Sequence, residues 1–462
     1  MRIVLKILKW LTLVFVTLVI VMFAINWSDQ EPSPATVEME SLLKEGSEIP
    51  DEDNGFVFAV GLSAPQGSDP VRSGAECIAK LNAAIQKETI NFKTDLDCWE
   101  HSSLKDDNST ISIIFNACRS PLHGKDCEEA LQENEKGIIQ LLKEKSRFLE
   151  LYLELLQRNK WHPTTEFSIY MPLPYYGSVG EGQQMLLLKA WHLAGQGKVE
   201  ELQKLLNQDA KFWRVVMSSS SMLIDKMLAT AFLTRHFAIS NLVLRRLHSS
   251  GAPLIVPKIW RVPIAGDELS IKKAMAGEWA FSRAILKETI DPRTFFIWDG
   301  YDPSDEERTI IDEWLLGITS HFLLPQATQN EYAEMLLQLV EILDVPVDQF
   351  PSALQREDAY VKQFNLYSLY NPIGHILVGV GMPSYSGFAE RVYNLEGVRR
   401  AALVTVQLRK KGVVVNQIDS VLSQSDITNP FNAKPFTWNA EAKSIVFKGL
   451  GTEERSTHSF LY

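Results

Sequence analysis

From Trp10 to Ile25 the chain carries no charge, and Thr12 and Thr17 are its only polar residues. No other stretch restricts so firmly what this chain can become. Taken with Ile3 to Leu8, the run reaches the roughly 20 predominantly apolar residues that cross a bilayer core. No amphipathic stripe breaks it, which argues against a soluble buried helix. Arg2, Lys6 and Lys9 precede the run, and Asp29, Glu31, Glu38 and Glu40 come after it. Cations beside a span are retained in the cytoplasm, so the expected topology is a cytoplasmic N-terminus with an exported body, single-pass in the cell inner membrane. Trp10 and Trp27 bracket the span, where indole rings favour the headgroup level. Lys6, Lys9, Trp10 and Trp27 are therefore the expected membrane-interface residues, and the lipid bilayer is the first expected partner. A cleaved signal peptide is the rival reading. It needs small residues at its exit, and Met22-Phe23-Ala24-Ile25-Asn26-Trp27 is bulky. The exit therefore predicts an uncleaved signal-anchor over residues 1–27.

Nine acids and one lysine, Lys44, fall between Asp29 and Asp53, with Pro32, Pro34, Gly46 and Pro50 among them. That composition reads as a solvated acidic linker over 28–53, lifting the body off an anionic lipid surface. The remaining chain, with 45% hydrophobic and 10% aromatic residues overall, can build a real core. The net charge of −11 and the lack of a basic stripe with interleaved aromatics predict no nucleic-acid partner.

Cys77, Cys98, Cys118 and Cys127 lie close together on the exported side. An even count in an oxidising compartment reads as two disulfides with three conceivable pairings. Cys118 and Cys127 face each other across a Pro121/Gly124 turn, which favours Cys118–Cys127 and Cys77–Cys98. A zinc site drawing on His123 and Cys98 is the alternative, although the tight Cys pairs common at zinc are missing.

Along the chain, Asn54 to Leu62 is apolar but too short to assign by period. Asp69-Pro70 places an N-cap before a first-turn proline, starting a helix to about Lys87. Ile111 to Phe115 is β-branched and aromatic and is expected to be extended. Glu128 to about Lys160 predicts one long amphipathic helix, stopped at His162-Pro163. After the connector Met171-Pro-Leu-Pro-Tyr-Tyr-Gly177, helices Gln183–Ala194 and Val199–Leu206 flank Gly195-Gln-Gly197, and a third helix is expected from about Ala210 through Met227 to His236. Ser304 with Glu307, and Thr328 with Glu331, match capping boxes, the second opening a helix Tyr332–Leu343. Near the end, Phe388, Val392, Leu395, Val398, Ala402 and Val406 line one helical face, closed by Arg409, Lys410, Lys411 and Gly412. Asn429 to Trp438 and Ser444 to Gly449 predict a small β-hairpin around Asn439 to Lys443. The expected fold is mainly α: the transmembrane helix and linker, a disulfide-bearing helical region 54–170, a helical-hairpin body 171–370, and a C-terminal helix with a β-hairpin, an α+β module, over 371–462.

Four stretches together, Gly61 to Pro70, the Cys118/Cys127 pair ahead of a helix, Phe212-Trp213-Arg214 to Lys226-Met227, and Asn429-Pro-Phe to Phe436-Thr-Trp438, resemble a family of single-pass membrane-anchored bacterial envelope proteins. The helix with Asn-Pro-Phe-x-x-x-Pro-Phe and a hairpin after it is also similar to the C-terminal part of pseudopilins. The first resemblance implies an envelope location and no activity; the second implies service to a secretion or pilus machine.

The candidate chemical motifs have structural explanations. Ser63 in Gly61-Leu-Ser-Ala-Pro65 lacks the second glycine of a nucleophile elbow. His192 and His236 sit in apolar helices without a metal-binding spacing. Gly379-Val-Gly381 lacks a third glycine, and Asp299 to Glu307 fails the alternating ligand order of a calcium loop. Arg214 beside Phe212 and Trp213 reads as an internal ion pair or stacking cation. Asn108-Ser-Thr110 fits a glycosylation sequon. No catalytic residue, cofactor or metal site is expected. The leading expectation is a non-catalytic interaction or assembly scaffold with an unidentified envelope partner. The alternatives are an envelope hydrolase with dispersed residues, and a secretion or pilus accessory factor.

Overall fold

A computed structural model describes residues 2–45, 48–65, 67–87, 98, 109–120, 122, 124–289, 321–365, 367–382, 385–452 and 456–462. The expectations for His123, the Asp299–Glu307 acidic cluster with its Ser304/Glu307 capping box, and Asn108 lie outside these residues. The apolar run forms α1 (Arg2–Ile25), a helix long and apolar enough to cross a membrane. The acidic segment beyond it is not a solvated linker. Ser33 caps, and Pro34 starts, helix α2 (Pro34–Lys44), which buries Met39. Thr36 and Met39 are buried against the body, and the acids around them meet distant cations at its surface: Glu38 pairs with Lys272 at 2.7 Å, Glu40 with Arg283 at 2.7 Å and Glu45 with Lys273 at 3.2 Å.

Asn54 caps the short buried helix α3 (Gly55–Gly61), which crosses α4 (Pro70–Gln86), the helix opened by Asp69 and Pro70. The crossing brings backbones into contact. A Cβ on Gly61 would lie 1.9 Å from the Pro70 carbonyl oxygen, and one on Gly74 would lie 2.0 Å from that of Val57. Gly74→Ala should therefore cost about 3 kcal/mol or more, since rigid backbone must give way. Gly387→Ala, on a helical site with open space around it, should be neutral or slightly stabilising. Equal denaturant midpoints for the two variants would refute the close-approach argument.

Helix α5 (Thr110–Ala117) replaces the expected extended segment, because Ser109 caps it and Ile111 and Ile114 turn inward. The expected long helix is three: α6 (Gly124–Glu133), α7 (Glu135–Glu144) and α8 (Ser146–Leu155). Asn134 supplies the first break, its side chain donating to the Ala130 carbonyl that its own amide also uses. Helices α9 (Tyr176–Gly195) and α10 (Val199–Ser219) form the expected hairpin, with Gly197 at φ +69° in the turn. The third helix starts later than expected. Ser220 takes the Met222 amide and bonds Asp225, breaking the chain before α11 (Leu223–Ser249). Helix α11 is also apolar enough to span a bilayer, but two thirds of that window is buried here as the central core helix.

Next come α12 (Lys272–Thr289), α13 (Pro325–Leu343), α14 (Phe350–Gln363), α15 (Pro372–Gly381), α16 (Ser386–Lys410) and α17 (Ile418–Ser423). The Thr328/Glu331 capping box does not form. Pro325 starts α13 one turn earlier, Thr328 donates back to the Leu324 carbonyl, and Glu331 bonds His375. Helix α16 ends as expected, with Gly412 at φ +62°, and packs along α11. The hairpin β1 (Thr437–Asn439) and β2 (Ser444–Lys448) gains a further strand, β3 (Thr457–Leu461), giving an antiparallel sheet ordered β1-β2-β3. Phe447 of β2 drives into α16 at Gly397, where a Cβ would lie 2.0 Å from its ring. The result is a mainly α protein with a small C-terminal sheet. Its core is continuous from Met39 to Phe460. Edge-to-face contacts from Phe56 through Trp161, Phe212 and Trp213 to Phe232 join its early and central helices.

Candidate functional site

The apolar surface of α1 is exposed from Leu5 to Val21. Its two hydroxyls are satisfied within the helix, Thr12 donating to the Leu8 carbonyl at 3.0 Å and Thr17 to that of Leu13 at 2.8 Å. Trp10 and Trp27 are both exposed; the helix rises about 22 Å from Trp10 to its end at Ile25, and Trp27 lies two residues beyond that end. Lys6 and Lys9 are exposed one turn or less before Trp10.

The last turn of α1 is not free. Asn26 is buried, and its amide donates to the Leu369 carbonyl at 2.9 Å while its Oδ1 accepts from the Asn371 N–H at 2.7 Å. Phe23 stacks on His321 with ring centroids 4.8 Å apart. Leu324 offers α13 no side-chain cap, and Asp29 supplies one from the far end of the sequence. Its two carboxylate oxygens accept from the Gln326 and Ala327 amides, each at 2.8 Å. An anion there also complements the positive end of the helix dipole. Asn330 completes the clamp, accepting from the Ser33 amide and the Thr36 hydroxyl, and donating to the Glu31 carbonyl. None of this was legible from local sequence, since each bond joins residues about three hundred positions apart.

Disulfides join Cys77 to Cys98 and Cys118 to Cys127, with Cα separations of 5.9 and 4.4 Å. Among the described residues no cysteine is free, and no cluster of His, Cys, Asp or Glu could hold a metal ion.

Several of the titratable groups buried among the described residues of the body are taken up by internal bonds. His236 and Asp209 are fully buried and 2.7 Å apart through Nδ1, an arrangement resembling a catalytic dyad. The indole of Trp260, which can only donate, gives its N–H to His236 Nε2 at 2.9 Å. Nε2 is therefore an occupied acceptor, Nδ1 carries the proton toward Asp209, and no nitrogen is left to move a substrate proton. Asp209 also accepts from Tyr152 and Gln183. Asp225 accepts from Trp161, Tyr176 and Ser220; burial pushes its carboxyl up to about 6 against those bonds. Lys226 donates to the carbonyls of Met217, Asp267 and Glu268, and burial lowers its ammonium to about 7. Arg214 forms the internal ion pair expected of it, a fork on Glu268 with the Val262 and Pro263 carbonyls alongside. His192 bonds Gln196 at the surface of its helix.

Glu278 differs. It has no cationic partner among the described residues, and burial raises its carboxyl from 4.5 to about 7. A raised carboxyl contributes stability that is complete below pH 4.5 and lost as pH climbs through 7. Glu278→Gln should therefore stabilise the chain by about 2–3 kcal/mol at pH 8 and by almost nothing at pH 4, measured by denaturant unfolding. A gain independent of pH would show that Glu278 is solvated.

The chain matches no known family model, no curated protein and no solved structure. The resemblances to envelope proteins and to pseudopilins drawn from local stretches have no counterpart among these comparisons.

Proposed function

We propose that this is a single-pass membrane protein, its N-terminus cytoplasmic and its disulfide-bonded body periplasmic, acting there as a non-catalytic scaffold for another envelope protein. The supporting observation is the clamp made by Asn26 and Asp29. A tethered enzyme needs only to stay near the membrane, whereas a scaffold must present a fixed face, and the clamp sets the body's orientation on its span. The disulfides fit an oxidising compartment. The buried Asp209–His236 pair is better explained by packing than by turnover.

The test is in-cell crosslinking from the body surface, in the wild type and in Asn26→Ala/Asp29→Ala. Losing these four bonds, at about 1 kcal/mol each, should raise protease cleavage between Ser28 and Ser33 at least tenfold and weaken capture of the same partner. Turnover of esters, glycans or peptides by the purified full chain, abolished by a point substitution, would replace the scaffold with an enzyme.

A further inference from the structure

Helix α15 is apolar on two opposite sides. Its inner side packs on α13 through Gly374, where a Cβ would lie 2.0 Å from the Thr328 hydroxyl, and through buried Val378. Its outer side carries Ile376, Leu377 and Val380, exposed by 45%, 48% and 71%, in line with half-buried Ile373. That spacing is one continuous helical stripe. Between Asn371 and Gly381 there is no Asp, Glu, Lys or Arg. The one titratable side chain, His375, has its ring nitrogens bonded to Glu331 and the Asn365 carbonyl. A helix apolar all round belongs in a core or against lipid.

The position of α15 selects lipid. Its N-cap residue Asn371 and the neighbouring Leu369 hold Asn26 at the end of α1, and Tyr370 donates to the Ser28 carbonyl at 3.0 Å. Tyr367 and Leu369, 90% and 66% exposed, therefore stand beside the exit of the span, with exposed Trp27. Ten residues of helix extend about 15 Å, so the whole stripe lies within that distance of the exit. The stripe thus begins where α1 ends.

We propose that α15, with Tyr367, Leu369 and Trp27, rests in the bilayer interface, Ile376, Leu377 and Val380 reaching the boundary between headgroups and acyl chains. The inference rests on reading α1 as the span. It gives the body a second lipid contact, so that the clamp at Asn26 and the stripe together define a membrane-facing side.

The test uses the full chain, native disulfides intact, in phosphatidylethanolamine/phosphatidylglycerol vesicles containing nitroxide-labelled lipids. A single added cysteine carries an environment-sensitive fluorophore at Val380, at Leu18 in the span, or at exposed Val415. Val415 lies past the far end of the 25-residue α16, about 35 Å along that helix from α15. Expected is quenching at Val380 several-fold above Val415, strongest with shallow nitroxides, while Leu18 responds most to deep ones. Ile376 gives the same reading should the Val380 variant not fold. Quenching at Val380 no greater than at Val415, with Leu18 still quenched, would overturn the proposal and leave the span standing. An unquenched Leu18 would remove both readings. A blue-shifted but unquenched Val380 whose emission changes on dilution would assign the stripe to a second copy instead, which also overturns it.

Discussion

Arginine at both Val16 and Leu18 (V16R/L18R) should move the full chain from the membrane pellet to the soluble or aggregated fraction, with all four cysteines reduced. Each arginine at the centre of a span costs about 2.5–3.5 kcal/mol on the insertion scale, so the pair costs about 5–7 kcal/mol. The two positions lie two residues apart on α1, on nearly opposite sides, and a tilt that lets one side chain snorkel drives the other deeper. The cysteines report on the compartment independently of the lipid. In the wild type, non-reducing electrophoresis should show a mobility shift on adding reductant, reflecting Cys77–Cys98 and Cys118–Cys127. In V16R/L18R the shift should vanish because the body never leaves the cytosol. A variant that still pellets through alkaline carbonate, with its disulfides formed, would end the single-span reading. A wild-type chain lacking its first residues by mass would turn the anchor into a cleaved signal.

How far residues alone disclosed this molecule depended on the range of the physics involved. The apolar helix α1, the start of α4 at Asp69-Pro70, the Gly197 turn and the end of α16 at Gly412 are set by neighbours within a turn or two, and each was legible. The stripe from Val392 to Val406 was legible too. It understates α16, which also buries Glu396, Arg399 and Arg409 on other sides. The failures were non-local. Residues 34–44 have linker chemistry until Thr36 and Met39 bury against the body, Asn330 bonds Ser33 and Thr36, and Lys272 and Arg283 meet Glu38 and Glu40. The true cap of α13 is Asp29, about three hundred positions away, whereas the local pattern points falsely to Thr328. The burial of His236 against Asp209 could not be foreseen from two residues 27 positions apart on separate helices. A faint signal existed for α2, where Ser33-Pro34 has the same cap-then-proline form that correctly marked α4.

Removing Arg399 should be among the most damaging single changes in the body. Glu396 and Arg399, almost fully buried on α16, form a two-bond fork at 2.6 and 2.7 Å, and Arg400 adds a bond at 2.7 Å. The Ile264 amide donates to the same carboxylate at 2.9 Å, and Arg399 reaches the Trp260 carbonyl. The cluster thus fastens α16 to the 260–264 loop, and that loop carries the indole that closes off His236. Burial alone would raise the Glu396 carboxyl, but its bonds to Arg399, then Arg400 and Ile264, outweigh this and hold it below the ordinary 4.5. Arg399→Met leaves the buried carboxylate with only Arg400 and the Ile264 amide and should cost about 3 kcal/mol at pH 7. Glu396→Leu strands the guanidinium and should cost a similar amount. The double variant, which leaves neither charge exposed to the interior alone, should cost less than either single change, a coupling that independent sites cannot produce. A depressed carboxyl contributes stability that is complete above pH 4.5 and lost as pH falls through its folded value. The wild type should accordingly weaken more steeply in acid than the double variant. Additive costs in a denaturant-unfolding cycle, or identical acid limbs, would show that Glu396 and Arg399 do not act as one unit.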